Sequence, residues 1–94
     1  MFGDDEFDWD DASCNHVREA GIHPREAQEA LRDPARVPRD VYNLAGERRR
    51  GAIGAAENGR ILFVVFTPRL GRTRVITARD VTAAEKRRYR RHGK

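Results

Sequence analysis

The chain has 94 residues, 38% hydrophobic and 36% charged, which allows one domain around a single thin core and excludes a second. Its net charge of +4 conceals a division: residues 1–47 carry five Lys+Arg against twelve Asp+Glu, and residues 48–94 carry fourteen against three. Such a split points to one surface built for a polyanion and another that repels it or meets a basic partner.

The acidic opening, Met1-Phe2-Gly3-Asp4-Asp5-Glu6, has neither the basic start nor the apolar stretch of a secretory signal, and the longest apolar run, Ile61 to Phe66, is far too short to span a bilayer. No membrane association and a cytoplasmic location are expected. Cys14 is the only cysteine, so no intramolecular disulfide can form, which fits a reducing compartment. A domain this small, with neither disulfide nor metal site, often draws stability from a partner, so a tight complex is expected.

In chain order, Phe7-Asp8-Trp9 alternates as a short first strand, and Asp10 or Asp11 offers an oxygen to cap a helix. Ser13, His16, Val17 and Ala20 fall on one face of that helix, and Gly21 ends it. Pro24 suits the first turn of a second helix with a shallow stripe of Ala27, Ala30 and Leu31, closed by Asp33-Pro34. Strands follow: a weak edge strand from Val37 to Leu44, then Arg48 to Ala55, Ile61 to Thr67 and Arg72 to Ala78. Asn58-Gly59 signals a type I′ hairpin, Pro68 to Gly71 another turn, and the two-faced apolar run Ile61 to Phe66 a central strand. Thr82 with Glu85 is a capping box opening a last helix rich in Lys86, Arg87, Arg88, Arg90 and Arg91. The pattern predicts a single α+β domain over residues 1–94, a mainly antiparallel meander sheet with two N-terminal helices and a C-terminal helix packed on it.

Several segments, in order across nearly the whole chain, carry a family resemblance. They are Phe7-Asp8-Trp9-Asp10-Asp11, His16-Val17, Gly21-Ile22, Pro24-x-Glu26-Ala27 and Glu47-Arg48-Arg49. Asn58-Gly59-Arg60 leading into Ile61 to Phe66, Arg72-x-Arg74-Val75-Ile76-Thr77-Ala78-Arg79 and Thr82-x-x-Glu85-x-x-x-Tyr89 complete the series. Together they resemble the BrnT toxins of bacterial type II toxin–antitoxin pairs, in the RelE-like group. The resemblance implies a RelE-like fold, RNA cleavage that inhibits translation, and neutralisation by a cognate small DNA-binding antitoxin in what can be a higher-order complex. The chain departs from the family at Glu19 and Ala20, where members commonly carry a basic residue and a histidine. That departure keeps open a non-catalytic RNA- or protein-binding module of the same fold.

Metal-free RNA cleavage needs a base for the ribose 2′-hydroxyl, cations for the charged phosphorane and an acid for the departing 5′ oxygen. His16, His23 and His92 are scattered without ligand spacing, so neither metal nor other cofactor is expected. Alternation puts Arg72 and Arg74 on one face of their strand, and Arg48 and Arg50 on one face of theirs, so the four guanidiniums converge on a phosphate if those faces coincide. Arginine stabilises charge but is a poor base. Arg74 is the candidate catalytic cation, and Arg48, Arg50, Arg72, Arg79, Arg87 and Arg88 are expected to hold RNA phosphates. His16 is the candidate base, its free pKa of about 6.5 suiting the task, although a histidine on a stripe facing a sheet ordinarily just satisfies a hydrogen bond. Tyr89 is the candidate acid or base-stacking residue, because it is the one aromatic of the basic helix and the resemblance places it near the sheet cleft. It reads equally as the residue that packs that helix down.

Overall fold

The computed structural model describes residues 6–40 and 49–92. Their elements run β1 (Phe7–Asp8), α1 (Asp11–Glu19), α2 (Pro24–Arg32), β2 (Val37–Asp40), β3 (Arg50–Ala55), β4 (Ile61–Arg69), β5 (Arg72–Asp80) and α3 (Ala83–His92). The expected α+β order is present. Of the two strands predicted across the middle of the chain, residues 41–44 and Arg48 lie outside the described residues.

Local chemistry sets the helix ends. Asp10 caps α1 by accepting the Ser13 N–H at 2.7 Å, and α1 closes when Gly21 and Ile22 donate back to the Arg18 and Val17 carbonyls. Ile22 and Val17 are both buried, the apolar contact that accompanies this closure. His23 caps α2 through Nδ1, which accepts from the Arg25 N–H, and Glu26 returns the bond to the His23 N–H. Thr82 and Glu85 make the predicted capping box at α3.

The sheet order is β1-β5-β4-β3-β2, antiparallel except where β1 pairs parallel to β5. Its middle strand is β4, as the apolar run predicts. On one face Leu62, Val64, Val75 and Ala78 join Phe7, Val17, Ile22, Ala27 and Ala30 in the core under α1 and α2, with Trp9 and Leu31 packed against it. Only Ser13 and Val17 of the predicted α1 stripe turn inward; His16 and Ala20 are exposed, because α1 rests on β5 at the sheet margin and buries a narrow stripe. A closer approach is made by α2, since a Cβ on Gly54 would lie 2.1 Å from the Ala30 carbonyl oxygen.

One turn type is corrected. Asn58-Gly59 does not form a type I′ turn: the Gly59 N–H reaches the Ala56 carbonyl and only Gly59 has positive φ, at 90°. This is the three-residue loop built on a type I turn with a left-handed glycine. Asn58 stays on the right-handed side because its side chain is tied at both ends, accepting from Arg60 N–H and donating to Glu26. The two-residue turn belongs instead to Leu70-Gly71, with φ of 52° and 77°.

Candidate nucleic-acid interface

Register fixes which arginines share a face. Phe66 pairs with Val75 but Val65 with Thr77, so a bulge absorbs Ile76 and the parity of β5 changes along its length. Arg79 therefore lies on the same side as Arg72 and Arg74, opposite α1 and α2, although simple alternation separates them. Arg50 pairs with Phe66, whose partner is the core residue Val75, which puts it on the helix-covered side. The four-arginine convergence is thus corrected: Arg50 and the Arg72–Arg74 pair occupy opposite faces of one end of the sheet, and Arg48 lies outside the described residues.

The face opposite α1 and α2 also carries Ile53, Phe63, Val65 and Thr67. α3 starts there. The Arg79 guanidinium lies 4.6 Å from the Phe63 ring centroid and grips Glu85 through two hydrogen bonds of 2.8 Å. Arg79 holds the Glu85 carboxyl down to about 2, helped by the Thr82 N–H, against the cost of burial. One turn along α3, on the same side of the helix, the Tyr89 hydroxyl donates to the Asp33 carboxylate. Burial and that carboxylate push the Tyr89 phenol up to about 12. Burial raises the Asp33 carboxyl, but bonds from Tyr89 and the Ala55 and Ala35 N–H groups outweigh it and leave it low. Bonded to Ala55 at the end of β3, Asp33 ties the α2 terminus, the sheet and α3 together.

Arg74 is held as well, donating to Asp10 at 2.7 Å and so linking β5 to the cap of α1. The Asp10 carboxyl is held down to about 2, first by the Ser13 N–H and then by Arg74. Arg60 likewise binds Asp80, the Gly21 carbonyl and Glu26. By contrast Arg50, Arg69, Arg72, Lys86, Arg87, Arg88, Arg90 and Arg91 are exposed and have no carboxylate partner among the described residues.

The residues read from the sequence as chemical do not meet. Arg74 is opposite Thr67 and Tyr89 reaches Asp33 beside Ala55, which pairs with Ile61. Six residues of β4 separate those levels, roughly 20 Å. His16, exposed on α1, makes no side-chain hydrogen bond among the described residues. Asp33 and Asp10 were not singled out in the sequence, where they register only as helix punctuation; nothing in spacing reports a carboxylate that also receives a distant side chain. Among the described residues no three His, Cys, Asp or Glu groups gather to hold a metal ion, and no helix is long and apolar enough to cross a membrane.

Three helices on a five-strand, mostly antiparallel sheet, with arginines along one sheet face beside a basic helix, define a small α+β protein with a strongly basic face. The sequence profile of the family described as "Ribonuclease toxin, BrnT, of type II toxin-antitoxin system" matches residues 9–85, and the chain belongs to that family of BrnT ribonuclease toxins. Membership brings an RNA substrate and a cognate antitoxin with it. No curated relative matches the chain.

Proposed function

We propose that this toxin is a metal-independent endoribonuclease that cleaves through the ribose 2′-hydroxyl and so inhibits translation, binding its RNA across the β5 face and α3. The observation that carries this reading is the placement of Arg72, Arg74 and Arg79 on one sheet face with the exposed cations of α3 beside it. Arg72 and Arg74 bind and stabilise the phosphate; Arg87 and Arg88 hold the strand further along, with Arg79 fixing the helix that bears them. Of the two proton-transfer candidates, Tyr89 has its proton committed to Asp33, which supports a positioning role: it seats α3 against the sheet. His16, exposed on α1 on the other side of the sheet from Arg72 and Arg74, is the remaining candidate for base, and its variant tests whether the site extends round to that helix. The antitoxin, a small DNA-binding protein on this reading, neutralises the toxin by shielding the basic face.

The test is incubation of antitoxin-free protein with labelled single-stranded RNA in EDTA, with and without ribosomes, alongside Arg72→Ala, Arg74→Ala and His16→Ala. Fragments ending in a cyclic phosphate, formed in EDTA and reduced at least tenfold in the arginine variants, are the expected result. Retained cleavage in His16→Ala moves the base elsewhere. Binding without cleavage under every condition replaces the nuclease with a non-catalytic recognition module, the second reading that the Glu19-Ala20 departure supports.

A further inference from the structure

The β4–β5 hairpin ends in a feature that neither packing nor turn chemistry accounts for. Arg69 and Arg72 are the last cross-strand pair, and the two residues between them, Leu70 and Gly71, have φ of 52° and 77°. Consecutive positive φ values in a two-residue loop mark a type I′ turn, whose first position favours Asn or Asp. A leucine there is strained, since its Cβ crowds the following carbonyl. It is also 93% exposed, the one exposed large hydrophobic among the described residues. Two guanidiniums directly opposite one another add repulsion. Three locally unfavourable choices fall in four consecutive residues, and local conflicts of this kind concentrate where a protein meets something else.

We propose that this tip, Arg69-Leu70-Gly71-Arg72, is an RNA contact in which Leu70 packs on the face of an unpaired nucleobase while Arg69 and Arg72 bind the phosphates on either side. The proposal rests on the reading of the chain as an RNA-acting protein and names the part of the RNA its hairpin takes. An unstacked base offers an apolar face between two anionic groups, the complement of a leucine between two arginines; in a duplex that face is closed by stacking. The surrounding charge continues the match. Arg74 follows Arg72 on the same face of β5, and Arg50 enters β3 at the same end of the sheet. A protein partner would also satisfy the arginines, but stable protein interfaces centre on a cluster of apolar anchors, and one leucine on a two-residue turn is not a cluster.

The full chain is titrated into a fluorescein-labelled, single-stranded 2′-O-methyl oligoribonucleotide of mixed sequence, whose blocked 2′-oxygen prevents cleavage, and anisotropy is read across a salt series. Leu70→Asn gives the turn its preferred residue, so the melting temperature should hold or rise while RNA affinity falls roughly fivefold with no change in salt slope. Leu70→Tyr, which restores a face for stacking, should bind at least as well as the parent. Arg69→Gln and Arg72→Gln should each flatten the salt slope by about 0.7. Parent affinity kept within twofold in Leu70→Asn overturns the tip contact and leaves the RNA reading standing, and so does a Leu70→Asn variant that binds RNA normally but loses its antitoxin. Failure of the parent to bind the oligonucleotide overturns both.

Discussion

Tyr89 and Asp33 show how one side chain can be read two ways until its partner is known. As a free phenol on a basic helix, Tyr89 is a fair proton donor; with its hydroxyl on a carboxylate that also accepts two backbone N–H groups, it is a fastening. Tyr89→Phe removes the donor and should destabilise the fold by about 1 kcal/mol, read as an earlier urea midpoint, while RNA affinity at saturating fold stays within a factor of two. A larger loss is expected at Gly54, where the space a methyl needs is already filled by the Ala30 backbone. Backbone cannot rotate aside as a side chain can, so Gly54→Ala should cost roughly 3 kcal/mol and show reduced helicity at 37 °C. Little of this residue-level detail was legible beforehand. The sequence carries a glycine in a strand and an aspartate before a proline, but the contacts that give them meaning join positions more than twenty apart.

At the scale of elements, the helix caps and strand runs were readable because each rests on near neighbours: Asp10, Gly21, Pro24 and the Thr82–Glu85 box act within a few residues of themselves. Face assignment in β5 was not readable, since the bulge at Ile76 depends on the partner strand and one inserted residue reverses every face beyond it. The Asn58-Gly59 hairpin took a different turn type for a similar reason, its bond to the distant Glu26 overriding the usual turn preference of Asn58. α3 is fastened at its first turn by the Arg79–Glu85 pair and one turn later by Tyr89–Asp33, and the two fastenings fail at opposite ends of the pH scale. Glu85 is lowered from an ordinary 4.5 to about 2, so its contribution is complete above about 4.5 and is lost as pH falls towards 2. Tyr89 is raised from an ordinary 10 to about 12, so its contribution is complete below 10 and is lost as pH rises through 12. Amide exchange in α3 should therefore quicken, relative to β4, in both windows. Glu85→Gln should shrink the acid limb and leave the alkaline one, whereas Tyr89→Phe should remove the alkaline limb and part of the acid one, because Asp33 is held low partly by Tyr89; an α3 that exchanges in step with β4 throughout would show that it is not fastened at these two points.

For the molecule as a whole, the charge division along the sequence becomes a division of duties. Asp10, Glu26, Asp33, Asp80 and Glu85 are occupied with internal partners, and two of the arginines of the basic half, Arg60 and Arg79, are spent on holding elements together, while Arg74 is shared between Asp10 and the proposed phosphate site. Exposed cations remain on α3 and at the β4–β5 end of the sheet, where each bound phosphate releases counterions. For a single strand the affinity then falls with salt at a slope of about −0.7 per phosphate neutralised. Contact with four to six phosphates predicts a slope of about −3 to −4, a loss on the order of a hundredfold between 50 and 200 mM salt. Because Arg60 is already neutralised by Asp80 and Glu26, Arg60→Gln should lower stability and leave that slope unchanged, whereas Arg87→Gln with Arg88→Gln should leave stability within 0.5 kcal/mol and flatten it by more than one. The reverse pattern would mean that the ion pairs open to receive RNA, and that the bonds which build this fold are the same ones its substrate must break.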